Sequence, residues 1–78
     1  MIDLPINHTS RVWRRRISQG MDQRTVAERA GISVSYLYRI ENKKATPSPA
    51  VITALAAALD CTEDYLLERT YDPRGHAE

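Results

Sequence analysis

Ser35, Tyr38, Arg39 and Asn42 punctuate the stretch SVSYLYRIEN, residues 33–42. On a helix turning about 100° per residue they share one side, with Val34 at its edge. They bring together a hydroxyl, a phenol, a guanidinium and an amide, groups suited to recognition by hydrogen bonding. Leu37 and Ile40 point the opposite way, and Tyr36 and Glu41 flank that apolar stripe. Such a helix buries a narrow face and leaves a polar one for a partner. The chain shows no nucleophile–base pair, paired carboxylates, phosphate-binding glycine loop or metal-ligand spacing, so catalysis has almost no support.

The elements that position these residues must come from a short chain. Seventy-eight residues, 42% hydrophobic and 27% charged, make one small domain. The single cysteine, Cys61, precludes an internal disulfide, and His8 and His76 near opposite ends read as solvated histidines. No apolar run is long enough for a membrane span or a signal peptide. The expectation is a soluble cytoplasmic protein without cofactor or metal. The net charge is only +1, but residues 1–45 hold nine Lys/Arg against four Asp/Glu, and residues 46–78 hold two against six. This asymmetry points to one half that meets a polyanion and another that does not.

Strand signals are nearly absent, whereas helix punctuation is plentiful. Ser10 caps a helix over 11–19 closed by Gly20, and Asp22 caps one over 23–30 closed by Gly31. Ser33 caps a third over 34–42. Ser48, with proline at the first helical position, opens a fourth that runs to Leu59. Thr62 caps a fifth through Leu67 or Arg69. Short connections between them predict an all-α, compact five-helix domain over 9–69. Residues 1–8 and 70–78 lack periodicity and are expected to be a mobile arm and a mobile tail.

Counting Gln23 as position one, apolar or small residues fall at Val26, Ala27, Ala30, Ile32, Leu37 and Ile40, with Gly31 at the turn. Ala27 must be small if the second and third helices cross closely, and Gly31 suits a turn needing positive φ. This is the pattern of a helix-turn-helix, whose second helix enters the DNA major groove. The stretch GMDQRTVAERAGISVSYLYRIENKKATPSPAVITALAAALDCTEDYLL resembles the Cro and phage-repressor (XRE) family of five-helix DNA-binding domains. The resemblance runs from about Arg11 to Leu67. It rests on Gln23, Ala27, Gly31, the Arg39-Ile40-Glu41-Asn42 run, Pro47-Ser48 and the Leu55-Ala56…Leu59 pattern.

That resemblance implies repressor-like base reading by Val34, Ser35 and Arg39, with Tyr38 a further candidate. An arginine can bond bidentately to guanine O6 and N7, which discriminates by about 1–3 kcal/mol. Val34 is open to two readings, a thymine-methyl contact or a plain exposed apolar residue. The resemblance places phosphate contacts at Gln23, Asn42, Lys43 and Lys44. Tyr36 offers a phenol there, although half-buried packing is its other reading. Relatives commonly have glycine where Lys43 stands, so either Asn42 or Lys43 must take the left-handed conformation.

Arg16 falls within the arc of Val12, Trp13 and Ile17, which reads as the buried side of the first helix. A buried arginine needs a partner, and the resemblance implies a structural ion pair with Glu41. Arg11, Arg14 and Arg15 are expected to point outward, to solvent or flanking phosphate. Cys61 is expected to be a buried, inert thiol. Tyr65, Leu66 and Leu67 are consecutive bulky residues that one helix is not expected to bury together. With the family's habit of dimerising here, Glu63, Tyr65, Leu66 and Tyr71 become interface candidates.

Two readings follow. The first is a sequence-specific regulator, a repressor by preference, that binds near-palindromic double-stranded DNA as a homodimer and meets RNA polymerase or a partner protein. The second is a protein-interaction module, such as an antitoxin gripping a toxin, with DNA secondary.

Overall fold

The computed structural model of the protein describes residues 10–69. The expected arm, the expected tail, His8, His76 and Tyr71 lie outside the described residues. Within them the chain forms α1 (Arg11–Ser18), α2 (Gln23–Ala30), α3 (Val34–Glu41), α4 (Pro49–Leu59) and α5 (Glu63–Leu66), with no strand. The all-α, five-helix expectation holds. Helices α1, α3 and α5 stop short of the expected ends because Gln19, Asn42 and Leu67 serve as caps, so α5 closes at Leu66 rather than at Leu67 or Arg69.

Every helix starts on a side chain that accepts a first-turn N–H. Ser10 accepts from Trp13 N, Asp22 from Thr25 N, Ser33 from Tyr36 N, Ser48 from Val51 N and Thr62 from Tyr65 N. A serine or threonine cap typically stabilises by about 1 kcal/mol relative to alanine. In helices this short, which are marginal in isolation, four such caps and Asp22 add to what tertiary packing supplies.

Every helix also ends in the same way. A residue in the left-handed region donates its N–H to the carbonyl three back, and its successor donates to the carbonyl five back. The left-handed residues are Gly20, Gly31, Lys43, Asp60 and Glu68, at φ 68°, 72°, 59°, 55° and 64°. The paired bonds include Gly31 N to Glu28 O and Ile32 N to Ala27 O, and Lys43 N to Ile40 O and Lys44 N to Arg39 O. Lys43, not Asn42, is therefore the residue that takes the strained conformation. A side chain there costs about 1 kcal/mol relative to glycine.

The core comprises Val12, Val26, Ala27, Leu37, Ile40, Ile52, Leu55, Ala56, Ala58, Leu59, Tyr65 and Leu66. Helix α4 packs against α1, α2 and α5, and α2 also packs against α3. Ala27, almost fully buried, supplies the small side chain that the α2–α3 turn requires.

Three expectations need correction. In α1, Ile17 is 50% exposed. The inward residues are Arg11, Val12, Arg15 and Arg16, an i, i+1, i+4, i+5 stripe covered by long arginine stems. Arg11 is buried, donates to Tyr65 O at 3.1 Å and lies over the Tyr65 ring at 4.7 Å. Arg15 donates to Leu59 O and Asp60 O at 3.0 and 2.9 Å and thereby caps the C-terminal end of α4. Only Arg14 faces outward as expected.

The second correction concerns Tyr65 and Leu66 as surface-interface candidates; the expectation that α5 does not bury Tyr65, Leu66 and Leu67 together holds, since Leu67 is exposed. Tyr65 and Leu66 are buried in the domain's own core, because this single turn wedges against both α1 and α4. Leu67 alone, 43% exposed, remains outside. The third concerns Cys61, which is half-buried rather than enclosed. Desolvation still pushes its thiol pKa up, against the lowering influence of Arg15, so the thiolate is disfavoured.

Candidate nucleic-acid interface

Helix α3 divides cleanly by exposure. Leu37 and Ile40 are buried, and Val34, Ser35, Tyr38 and Arg39 are exposed, Val34 at 43% and Tyr38 at 52%. These four form another i, i+1, i+4, i+5 set, so their side chains share one strip of surface. Arg39 makes no ion pair among the described residues, so its guanidinium is free to meet a partner.

Under this strip lies a charged anchor. Glu41 is 1% exposed. Its Oε2 accepts from Arg16 Nε at 2.7 Å and its Oε1 from Arg16 Nη2 at 3.0 Å. The Gln23 side-chain amide adds a third bond to Oε1 at 3.1 Å, and Arg16 Nη1 donates to Met21 O at 3.0 Å. One carboxylate thus ties together α1, the first residue of α2 and the end of α3, and Arg16 adds the α1–α2 turn. The bidentate geometry and the extra donor offset the desolvation of both charges. Bonds of this kind favour one geometry over neighbouring ones, so they fix the angle at which α3 presents its exposed face.

The phosphate candidates differ in how far their side chains are already engaged. Lys44 is exposed and forms no ion pair among the described residues. Lys43 sits 3.5 Å from Glu68 Oε2. Asn42 turns its amide back onto Tyr38 O at 2.8 Å and closes the last turn of α3. Tyr36 is half-buried and packs against the core. The Gln23 amide nitrogen is engaged with Glu41, which leaves its backbone N–H at the start of α2, where intrahelical partners are lacking. Beside it, the Asp22 carboxyl is held below its ordinary pKa, first by the Thr25 N–H and then by the Thr25 hydroxyl. Sequence reasoning missed the Gln23–Glu41 bond and the engagement of Lys43 by Glu68. Neither has a local signal, since the partners lie far apart in the chain, Gln23 and Glu41 on α2 and α3, and Lys43 and Glu68 just beyond α3 and α5.

Among the described residues no three His, Cys, Asp or Glu side chains are grouped to hold a metal ion. No helix among them is long and apolar enough to cross a membrane.

A short helix fastened by its apolar side, with a hydrogen-bonding face turned outward and the preceding helix locked across it, is the arrangement of a helix-turn-helix. The helix-turn-helix family model matches residues 14–66, which include all of α2 to α5. The crystal structure of the restriction-modification controller protein C.AhdI from Aeromonas hydrophila is similar to this chain. It shares 32% identity and a TM-score of 0.71, over 73% of this chain and 86% of that one. The chain belongs to the XRE-type helix-turn-helix family of DNA-binding transcription regulators.

Proposed function

We propose that the protein is a sequence-specific regulator, a repressor by preference, that binds a near-palindromic duplex site as a homodimer in the cytoplasm. The observation that carries this reading is the exposed strip of Ser35, Tyr38 and Arg39 on a helix anchored from below by Arg16, Gln23 and Glu41. Arg39 reads a guanine edge, Ser35 donates to or accepts from its neighbour, and Val34 and Tyr38 add apolar and phenolic contacts. Lys43, Lys44 and the N-terminal backbone of α2 hold the phosphates on either side.

The second copy meets this one around Leu67. With Tyr65 and Leu66 drawn into the core, Leu67 is the apolar residue of this region left exposed. Arg69 lies beside it as the cation, and Glu63 and the Arg69-bound Asp64 as the acids. A surface carrying both signs can match its own two-fold copy, whereas a polyanion would be repelled by the acids. Likeness to a restriction-modification controller supports the regulatory role.

A gel-shift titration over rising salt tests the reading. DNA recognition predicts binding whose log affinity falls linearly with log salt, by about 0.9 for each phosphate neutralised. Absence of any shift at low salt, or an affinity indifferent to salt, would sink it.

A further inference from the structure

The five helix ends fall into two kinds. At Gly20, Gly31 and Asp60 the following residue is Met21, Ile32 or Cys61, each packed against the core. At Lys43 and Glu68 the following residue is Lys44 or Arg69, both charged and exposed. These last two ends do not serve to plug the interior. Yet neither carries glycine, although φ of 59° and 64° favours it. Residues that strain the backbone without helping the core are candidates for another role.

The two strained side chains meet each other. Lys43 Nζ lies 3.5 Å from Glu68 Oε2, with both side chains about half exposed. The pair stands at a cleft whose lining includes Ile40, Ile52 and Leu66. Arg69, the nearest alternative cation in sequence, is bonded to Asp64 at 3.3 Å. Glu68 therefore acts on the lysine that follows the recognition helix.

We propose that Glu68 is an intramolecular competitor for DNA phosphate at Lys43, a brake on sequence-independent affinity. The inference rests on the DNA-binding reading above. In the free protein the carboxylate neutralises the ammonium. On the duplex a phosphate takes its place. The exchange is feasible because an exposed pair at this distance is weak and screened by solvent, unlike the buried Arg16–Glu41 pair. Base discrimination by Ser35 and Arg39 is untouched, so the brake lowers specific and non-specific binding alike and leaves their ratio unchanged.

The test is Glu68→Gln in the full chain, with binding to a selected duplex and to a random-sequence duplex measured over a salt series. Both affinities should rise about three- to tenfold, with a log–log salt slope within about half a unit of the wild type's, because Lys43 meets a phosphate in both. Lys43→Met should weaken both, and adding Glu68→Gln to it should restore nothing. Asp60→Asn removes the same charge at another left-handed position and should change binding by less than about twofold. A Glu68→Gln gain no larger than that of Asp60→Asn, or one that survives without Lys43, would overturn the brake while leaving DNA binding intact. A wild-type chain that binds neither duplex would overturn the DNA-binding reading itself, and the brake with it.

Discussion

Arg16 and Glu41 lie face to face beneath the recognition helix, joined by two parallel bonds of 2.7 and 3.0 Å between α1 and the end of α3. Glu41 is nearly inaccessible to water, so its charge is tolerable only while Arg16 and Gln23 surround it. The pair is therefore the joint through which the fold sets the angle of the exposed face of α3.

Removing one side of that joint should cost far more than removing both. Arg16→Ala or Glu41→Ala alone leaves an uncompensated buried charge or cation and is expected to cost about 3–5 kcal/mol. For a domain of this size that is a Tm loss of more than about 12 °C. The apolar double variant Arg16→Met/Glu41→Leu should unfold at a higher temperature than either single variant. Calorimetric melts of the set check this, and additive losses would contradict a coupled pair.

Arg39 and Lys44 should fail in different ways. Arg39→Ala is expected to relax base preference at one position of each half-site, by about 1–3 kcal/mol against the preferred base. Lys44→Ala should weaken all sequences alike and lower the salt slope by about one. Competition binding against single-base variants of a site separates the two. Equal behaviour would remove Arg39 from its reading role.

The left-handed backbone at Lys43 makes a trade-off measurable. Lys43→Gly relieves a strained residue and sacrifices a weak surface pair, so stability should rise by about 0.5–1 kcal/mol. Chemical denaturation should show this gain alongside weaker DNA binding. A less stable glycine variant would mean that the side chain, not the backbone, dominates at this position.

Asp22 ties stability to acid pH. Its folded pKa is lowered because the ionised form accepts from Thr25. The unfolded chain therefore takes up this proton first as pH falls. The cap's ionic contribution is complete above the ordinary carboxylate range and is lost as pH drops through the lowered value. Asp22→Asn keeps a cap without the titration, so Tm should fall less between pH 5 and pH 3 than in the wild type. Parallel acid-side melting curves for the two proteins would contradict this.

What could be read in advance was whatever depends on neighbours in the chain. The caps Ser10, Asp22, Ser33, Ser48 and Thr62 act over three residues, and so do the turns after Gly20 and Gly31. The division of α3 into Leu37 and Ile40 on one side and Ser35 and Arg39 on the other follows from helical period alone. Failures began where tertiary neighbours decide. In α1, two turns of helix place Ile17 and Arg11 on competing sides, and only the position of α5 draws Arg11 inward over Tyr65. The burial of Tyr65 and Leu66 has the same origin, because one turn of helix wedged between two others can bury two consecutive residues. The Gln23 amide was expected to reach outward, and a carboxylate arriving from α3 turns it inward.

The central claim is that the exposed face of α3 reads base edges in the major groove. Selection of bound duplexes from a random pool, run in parallel with wild type and Arg39→Ala, tests it most directly. The wild type should enrich two inverted half-sites about 34–36 Å apart along the helix axis, each with a defined guanine that the Arg39→Ala pool no longer selects. A wild-type pool that enriches no motif, or one that is identical for Arg39→Ala, would contradict the account.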